Sequence, residues 1–196
     1  MSLKLPNRDL LFARAYYFAF MGGWGFILPF INLFYVSLGL SGKQIGTIGS
    51  VSATVGLIVS PTLVTEVKKR PQARGILQAS LMLGAIAYFL LGQQAAFFPI
   101  ILIVFLQALV GAGIMPTSDA MAVHVSAEAG TGYGSVRAWA SVGWIITVLT
   151  SGWLIERNGF EAGFLGVSLM WLTAALVTLL IQPRYFVSPN YAEQGK

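Results

Sequence analysis

Phe97-Phe98-Pro99-Ile100-Ile101-Leu102-Ile103-Val104-Phe105-Leu106-Gln107-Ala108-Leu109-Val110 contains no charged residue and opens an apolar segment that continues to about Val125. Roughly 20 consecutive apolar residues carry an α-helix across a bilayer, so this segment reads as a crossing helix. Working outward, Gly75 to Gly92 is another such run, separated from it only by Gln93-Gln94-Ala95-Ala96. Leu10 to Leu38, Ser41 to Glu66, Val136 to Ile155 and Gly163 to Ile181 complete the set. The first of these follows Lys4 and Arg8, but it is too long for the apolar part of a signal peptide and lacks a small-x-small cleavage site. Ser41 and Gln44 have the spacing of a capping box, which predicts a tight turn over Gly39 to Gly42. The expected fold class is an all-α membrane protein with six transmembrane helices.

Composition agrees. Of 196 residues, 56% are apolar and 10% charged, and the mean hydropathy is +0.75; a soluble domain carries roughly 25% charged residues. Six crossings use residues 1–182 and leave 183–196 as a cytoplasmic tail or the start of a linker. No room remains for a soluble catalytic or nucleotide-binding module. Ten basic residues, including Lys4, Arg8, Arg14, Arg74, Arg137 and Arg184, fall on one side of the expected topology, against Lys43 and Arg157 on the other. That asymmetry puts both termini in the cytoplasm, in a multi-pass protein of the cell (inner) membrane, and accounts for the positive charge without a nucleic-acid partner. The absence of cysteine excludes disulfides, thiolate zinc sites and iron–sulfur ligation. No cofactor and no metal are expected.

Gly42, Gly46, Gly49, Ala53, Gly56 and Ser60 lie along one face of the second helix and predict close contact with a neighbouring helix. In the first and fourth helices, Gly23-Trp24-Gly25 before Pro29 echoes Gly111-Ala112-Gly113 before Pro116. The two helices cross in opposite directions, so the echo predicts inverted three-helix repeats, whose interrupted helices border the solute site in secondary transporters.

Asp119 in the fourth helix and Arg137 in the fifth are ionisable groups within apolar segments. Such residues are functional by default, because each costs roughly 2.5 to 3.5 kcal/mol when exposed to lipid at mid-membrane. Both fall about 10 Å to the cytoplasmic side of their midpoints, at 1.5 Å per residue, which predicts a direct carboxylate–guanidinium pair. Trp144, two turns beyond Arg137, and Ser141 between them share its helix face. An acceptor, a forked donor and an indole plane suit a small polar organic solute. Asn32 and Trp24 are further cavity candidates, and Asn32, Gln78 and Gln107 equally suit interhelical hydrogen bonds. His124 reads as an interfacial anchor.

Tyr133-Gly134-Ser135-Val136-Arg137-Ala138-Trp139-Ala140-Ser141-Val142-Gly143-Trp144, Pro116-Thr117-Ser118-Asp119-Ala120 and Gly25-Phe26-Ile27-Leu28-Pro29-Phe30 resemble the amino-terminal half of the major facilitator superfamily. The resemblance is to the branch of lactose permease and the phenylpropionate and nucleoside proton symporters. It implies that Asp119, Arg137 and Trp144 bind solute, that Asp119 takes part in proton coupling, and that Glu66, Lys68, Lys69 and Arg70 are the remnant of a gating loop. It also implies a second six-helix half, as a separate chain or a second copy. The function expected is half of a proton-coupled symporter for a sugar, aromatic acid or nucleoside, with the small molecule, the proton and the lipid bilayer as partners. The alternative is a self-sufficient six-helix binding subunit of a multi-component transporter. An enzyme is not expected: Ser135 or Ser141 with His124 lacks a nucleophile setting, and Asp119 is the only deep acid.

Overall fold

Each apolar run becomes one crossing in the computed structural model, which describes residues 8–67 and 72–187, with the side chains at 60–67 excepted. Crossing one consists of α1 (Arg8–Ile27), a 3-10 turn (Leu28–Phe30) and α2 (Ile31–Ser37). Crossings two and three are α3 (Gly42–Val67) and α4 (Ala73–Gly92). Crossing four is again divided, into α5 (Phe97–Gly111) and α6 (Ile114–Glu128); α7 (Gly134–Asn158) and α8 (Phe160–Thr178) are crossings five and six. Among the described residues five crossings are long and apolar enough to span a membrane. The other, α3, has 26 residues, about 39 Å at the helical rise. The chain is a multi-pass, all-α membrane protein.

Both interruptions have a local cause. Pro29 has no amide proton and falls in the 3-10 turn between α1 and α2. Pro116 stands in the first turn of α6, where a missing amide proton leaves no helical bond unmade, and the chain breaks just ahead of it at Ala112 and Gly113. At the entry to α3 the capping box forms as its spacing predicts. The Ser41 amide donates to Gln44 Oε1 at 2.9 Å, and the Gln44 amide donates to Ser41 Oγ at 3.4 Å.

Crossing one packs on five and six, three on six and four, and two on four. Exchanging one with four, two with five and three with six turns the one–five contact into four–two and the one–six contact into four–three. The three–six contact maps onto itself. These contacts fit two inverted three-helix repeats whose leading helices are the two broken ones, while the five–six contact has no two–three counterpart recorded among the described residues.

The glycines of α1 serve close packing. A Cβ on Gly25 would fall on Thr147 Oγ1, and one on Gly143 would fall on the Phe18 carbonyl, so α1 and α7 touch backbone to backbone. Trp171 of α8, wholly buried, fills the space that Gly23 and Gly84 leave open and meets the Tyr88 ring edge-on at 5.2 Å.

Two expectations are corrected. The small-residue face of α3 makes no close helix contact: a Cβ at Gly42, Gly46, Gly49 or Gly56 would meet nothing within 4 Å. Among the described side chains the buried positions of α3 are instead Ile48 and Val55, one heptad apart on another face. The link between crossings five and six shrinks to Gly159, whose φ of 78° suits glycine, because Glu156, Arg157 and Asn158 continue α7 and α8 starts at Phe160. The segment from Pro183 begins docked against the bundle. Pro183–Phe186 forms a 3-10 turn with Tyr185 and Phe186 buried, the Tyr185 carbonyl lies 3.0 Å from His124 Nδ1, and Arg184 pairs with Glu128 at 2.6 Å. His124 thereby meets the turn after crossing six.

Candidate functional site

Asp119 sits one turn into α6, after Pro116. Its neighbour Ser118 donates to the Ile114 carbonyl at 2.7 Å and shares a 2.6 Å hydrogen bond with the Tyr16 hydroxyl, fixing this turn against α1. Two phenols converge on one carboxylate oxygen: Tyr17 donates to Asp119 Oδ1 at 2.6 Å and Tyr133 donates to it at 2.8 Å. Tyr133 lies just before α7, where its carbonyl accepts the Arg137 amide. Burial raises its phenol pKa above the ordinary value, and the hydrogen bond and charge of Asp119 add to the shift. Hydrogen bonds to an ionised carboxylate are the strong kind, roughly 1.5 to 3 kcal/mol each, so the pair holds Asp119 in one orientation.

The direct Asp119–Arg137 ion pair expected from their common depth does not form. Within the described residues the two groups are not within 4.0 Å of each other, and Tyr17 touches both instead. Its hydroxyl is bound to Asp119, while the Arg137 guanidinium carbon stands 5.5 Å from the centre of its ring. Phenol donors satisfy Oδ1 and a π face attracts the cation, so neither charge needs the other as an immediate neighbour. Arg137 Nη1 is buried and has no hydrogen-bond partner among the described residues.

Arg137, Ser141 and Trp144 line one pocket of about 250 Å³ with Met21, Ala140 and Ile145. The shared face of α7 thus forms one wall, as the spacing predicts, and Met21 brings in α1 one turn beyond Tyr17. Asn32 and Trp24 are placed elsewhere. Asn32 lines a separate pocket of about 370 Å³ between α2, α3, α4 and α5. The Trp24 indole N–H donates to the Tyr88 hydroxyl at 3.0 Å, and its ring packs on Phe20 and Trp171. Lys68, Lys69 and Arg70, like the side chain of Glu66, lie outside the described residues. Tyr17 and Tyr133 were not singled out by sequence reasoning. Tyr133 carried a usable signal, being one helical turn before Arg137 on the same face; Tyr17 did not, because its partner is 102 residues away.

Bundle topology, broken repeat-leading helices and the paired site elements agree with one family. The MFS_1-like family matches residues 10–193. The chain belongs to the MFS_1-like family. Among relatives of this family member, "Maltose permease" of Geobacillus stearothermophilus is 33% identical over 174 residues, 87% of this chain and 43% of the permease. "Probable 3-phenylpropionic acid transporter" of Escherichia coli (strain K12) is 25% identical over 182 residues, 91% of this chain and 45% of the transporter. The MFS_1-like chain spans less than half the length of either relative.

Proposed function

We propose that this chain is the solute-binding half of a secondary transporter, a proton-coupled symporter for a small polar or aromatic organic solute such as a sugar, aromatic acid or nucleoside. The observation that carries the reading is Arg137 Nη1, an unspent buried donor in a pocket shared with Trp144 and Ser141. A guanidinium left with a free donor in such a place suits a solute oxygen, and the indole offers a plane for a ring. Asp119 is the proton-carrying group: its Oδ1 takes two phenols, and Oδ2 has no hydrogen bond among the described residues. A second six-helix half, from a separate chain or a second copy, closes the cavity, and Glu66, Lys68, Lys69 and Arg70 contribute to gating. Both termini are cytoplasmic, in the inner membrane. The names of the two relatives support a small organic solute, one a sugar and the other an aromatic acid.

The test is equilibrium binding of maltose, 3-phenylpropionate and uridine to the chain in lipid nanodiscs. We expect one solute class to bind, with at least a tenfold loss in Arg137→Lys, because lysine cannot reproduce the planar fork. Binding that survives both Arg137→Lys and Trp144→Ala unchanged overturns the reading.

A further inference from the structure

Helices α1 and α7 touch, and their residue numbers rise together along the contact. A Cβ on Gly143 would meet Phe18, one on Gly22 would meet Gly143 and Thr147, and one on Gly25 would meet Trp144 and Thr147. Met21 and Trp144 fall in this register and line the same pocket. Seven residues earlier on each helix stand Arg14 and Arg137. A heptad turns a helix by only about 20° from its starting azimuth, so both arginines point the way that Met21 and Trp144 do. Parallel contact and equal spacing therefore place Arg14 beside Arg137, about 10 Å from the level of Met21 and the indole. Arg14 is not one of the side chains lining the pocket and stands next to its Arg137 end.

Neither guanidinium has an acceptor of its own. Both side chains are half-buried, and Arg14 Nε and Arg137 Nη1 are buried nitrogens without a hydrogen-bond partner among the described residues. Within the same residues no carboxylate comes within 4.0 Å of either arginine. Arg137 has the Tyr17 ring at 5.5 Å, and Arg14 has no aromatic face. Asp119 is directed elsewhere, its Oδ1 taking the phenols of Tyr17 and Tyr133. Two like charges side by side repel, and a buried donor without an acceptor is costly. Such a pair suits a site whose counter-ion arrives from outside the chain.

We infer that Arg14 and Arg137 together take the carboxylate of the solute, which makes the solute an organic anion and Arg14 the residue that selects it. The inference rests on the solute-binding reading of the Arg137 pocket and narrows it. Guanidinium forks bind carboxylates bidentately, with charge-assisted hydrogen bonds. Trp144, two turns along α7 from Arg137, is then left for the ring or carbon skeleton. With Asp119 ionised, two cations against one anion leave a single positive charge, which one carboxylate neutralises. A neutral sugar or nucleoside leaves that charge uncompensated in a half-buried place. A cationic solute adds to it.

The experiment uses matched probes: 3-phenylpropionate with its neutral amide, and glucuronate with glucose, each titrated against the chain in phosphatidylcholine nanodiscs. At least one carboxylate is expected to bind about tenfold or more tightly than its neutral counterpart, as a hydrogen-bonded charge does. Arg14→Gln is expected to weaken that carboxylate by about tenfold or more and to bring the two members of its pair within about threefold of each other. Arg14→Lys keeps the charge and is expected to keep most of the preference. Because no group of the fold depends on Arg14, solute-free Arg14→Gln is expected to melt no lower than the wild type. A neutral member that binds as well as its acid overturns the inference. So does an Arg14→Gln variant that weakens acid and neutral partner equally, that weakens neither, or that melts lower without solute, since the side chain then serves the fold. The underlying reading fails differently. Maltose or uridine binding that is lost in Trp144→Ala, with no preference for either acid, keeps the solute site and removes the anion, whereas no binding of any of these probes removes both.

Discussion

Tyr17 donates its phenolic proton to Asp119 Oδ1 at 2.6 Å and presents its ring to Arg137 in the same geometry. One wholly buried side chain of α1 thereby coordinates the two ionisable groups of crossings four and five. Tyr17→Phe separates the two roles. The ring stays beside the guanidinium while Asp119 loses one of its two phenols. A hydrogen bond to a charged group contributes roughly 1.5 to 3 kcal/mol, so we expect a lower melting temperature in detergent and weaker solute binding. Tyr17→Leu, which removes the ring as well, is expected to lose more. Equal effects of Phe and Leu would show that the ring contributes nothing to holding Arg137.

The two phenols also act on one oxygen, so their effects are expected to be coupled. In a double-mutant cycle of Tyr17→Phe and Tyr133→Phe, residues sharing one acceptor typically show an interaction of about 0.5 to 3 kcal/mol. Unfolding measured for the wild type, both single variants and the double variant gives the coupling directly. Strict additivity would mean that Asp119 turns away from one phenol in solution.

Two helical glycines, Gly143 and Gly46, have opposite expected responses to alanine. At Gly143 a new Cβ meets the Phe18 backbone carbonyl, which cannot swing aside as a side chain tip can. Gly143→Ala is expected to force α1 and α7 apart at about 1 to 3 kcal/mol, the usual cost of overpacking. At Gly46 nothing lies within 4 Å, and alanine there gains up to about 1 kcal/mol of helix propensity. Thermal unfolding of the two variants side by side is the check, with Gly143→Ala lowered and Gly46→Ala unchanged or raised.

These contrasts show which parts of the structure were legible beforehand. The crossings were, because hydrocarbon thickness imposes a minimum run of apolar residues whatever the packing. The α7 wall was legible too, since Arg137, Ser141 and Trp144 lie within one continuous helix whose period is known. The Ser41–Gln44 cap is equally local. What escaped depends on contacts across long stretches of chain. Nothing around Tyr17 distinguishes it from its fully buried neighbour Tyr16, and only folding brings α1 against α6. The small-residue face of α3 misled for the same reason. Small residues permit close approach but do not say whether a neighbour comes, and the apolar Ile48 and Val55 decided which face packs.

The docked turn after crossing six separates burial from ion pairing. Phe186 is fully buried, whereas Arg184 and Glu128 have side chains 58% and 45% exposed. Deleting a buried aromatic typically costs about 3 to 5 kcal/mol, so Phe186→Ala is expected to destabilise the bundle or release the turn. Arg184→Ala, which removes the solvent-screened pair with Glu128 and the partly exposed contact with Tyr185, is expected to lower the melting temperature far less than Phe186→Ala. Proteolysis near Pro183 reads release of the turn independently of global unfolding.

Orientation in the membrane follows from the same charge asymmetry, and the lack of cysteine makes it directly measurable. With ten basic residues expected on one side and only Lys43 and Arg157 on the other, the short connection at Gln93 and Gln94 is expected to face outward and the one at Gly130 to face the cytoplasm. Arg157 on the sparse side stacks on Trp153 at 4.2 Å from its ring centre, as a basic residue anchored at an aromatic membrane interface does. In intact cells, a membrane-impermeant maleimide is expected to label Gln94→Cys and to spare Thr131→Cys until the membrane is permeabilised. The reverse pattern would invert the topology and place Asp119 and Arg137 nearer the outer face. Labelling of both from outside would show a mixed population, with ten basic residues too few to set one orientation.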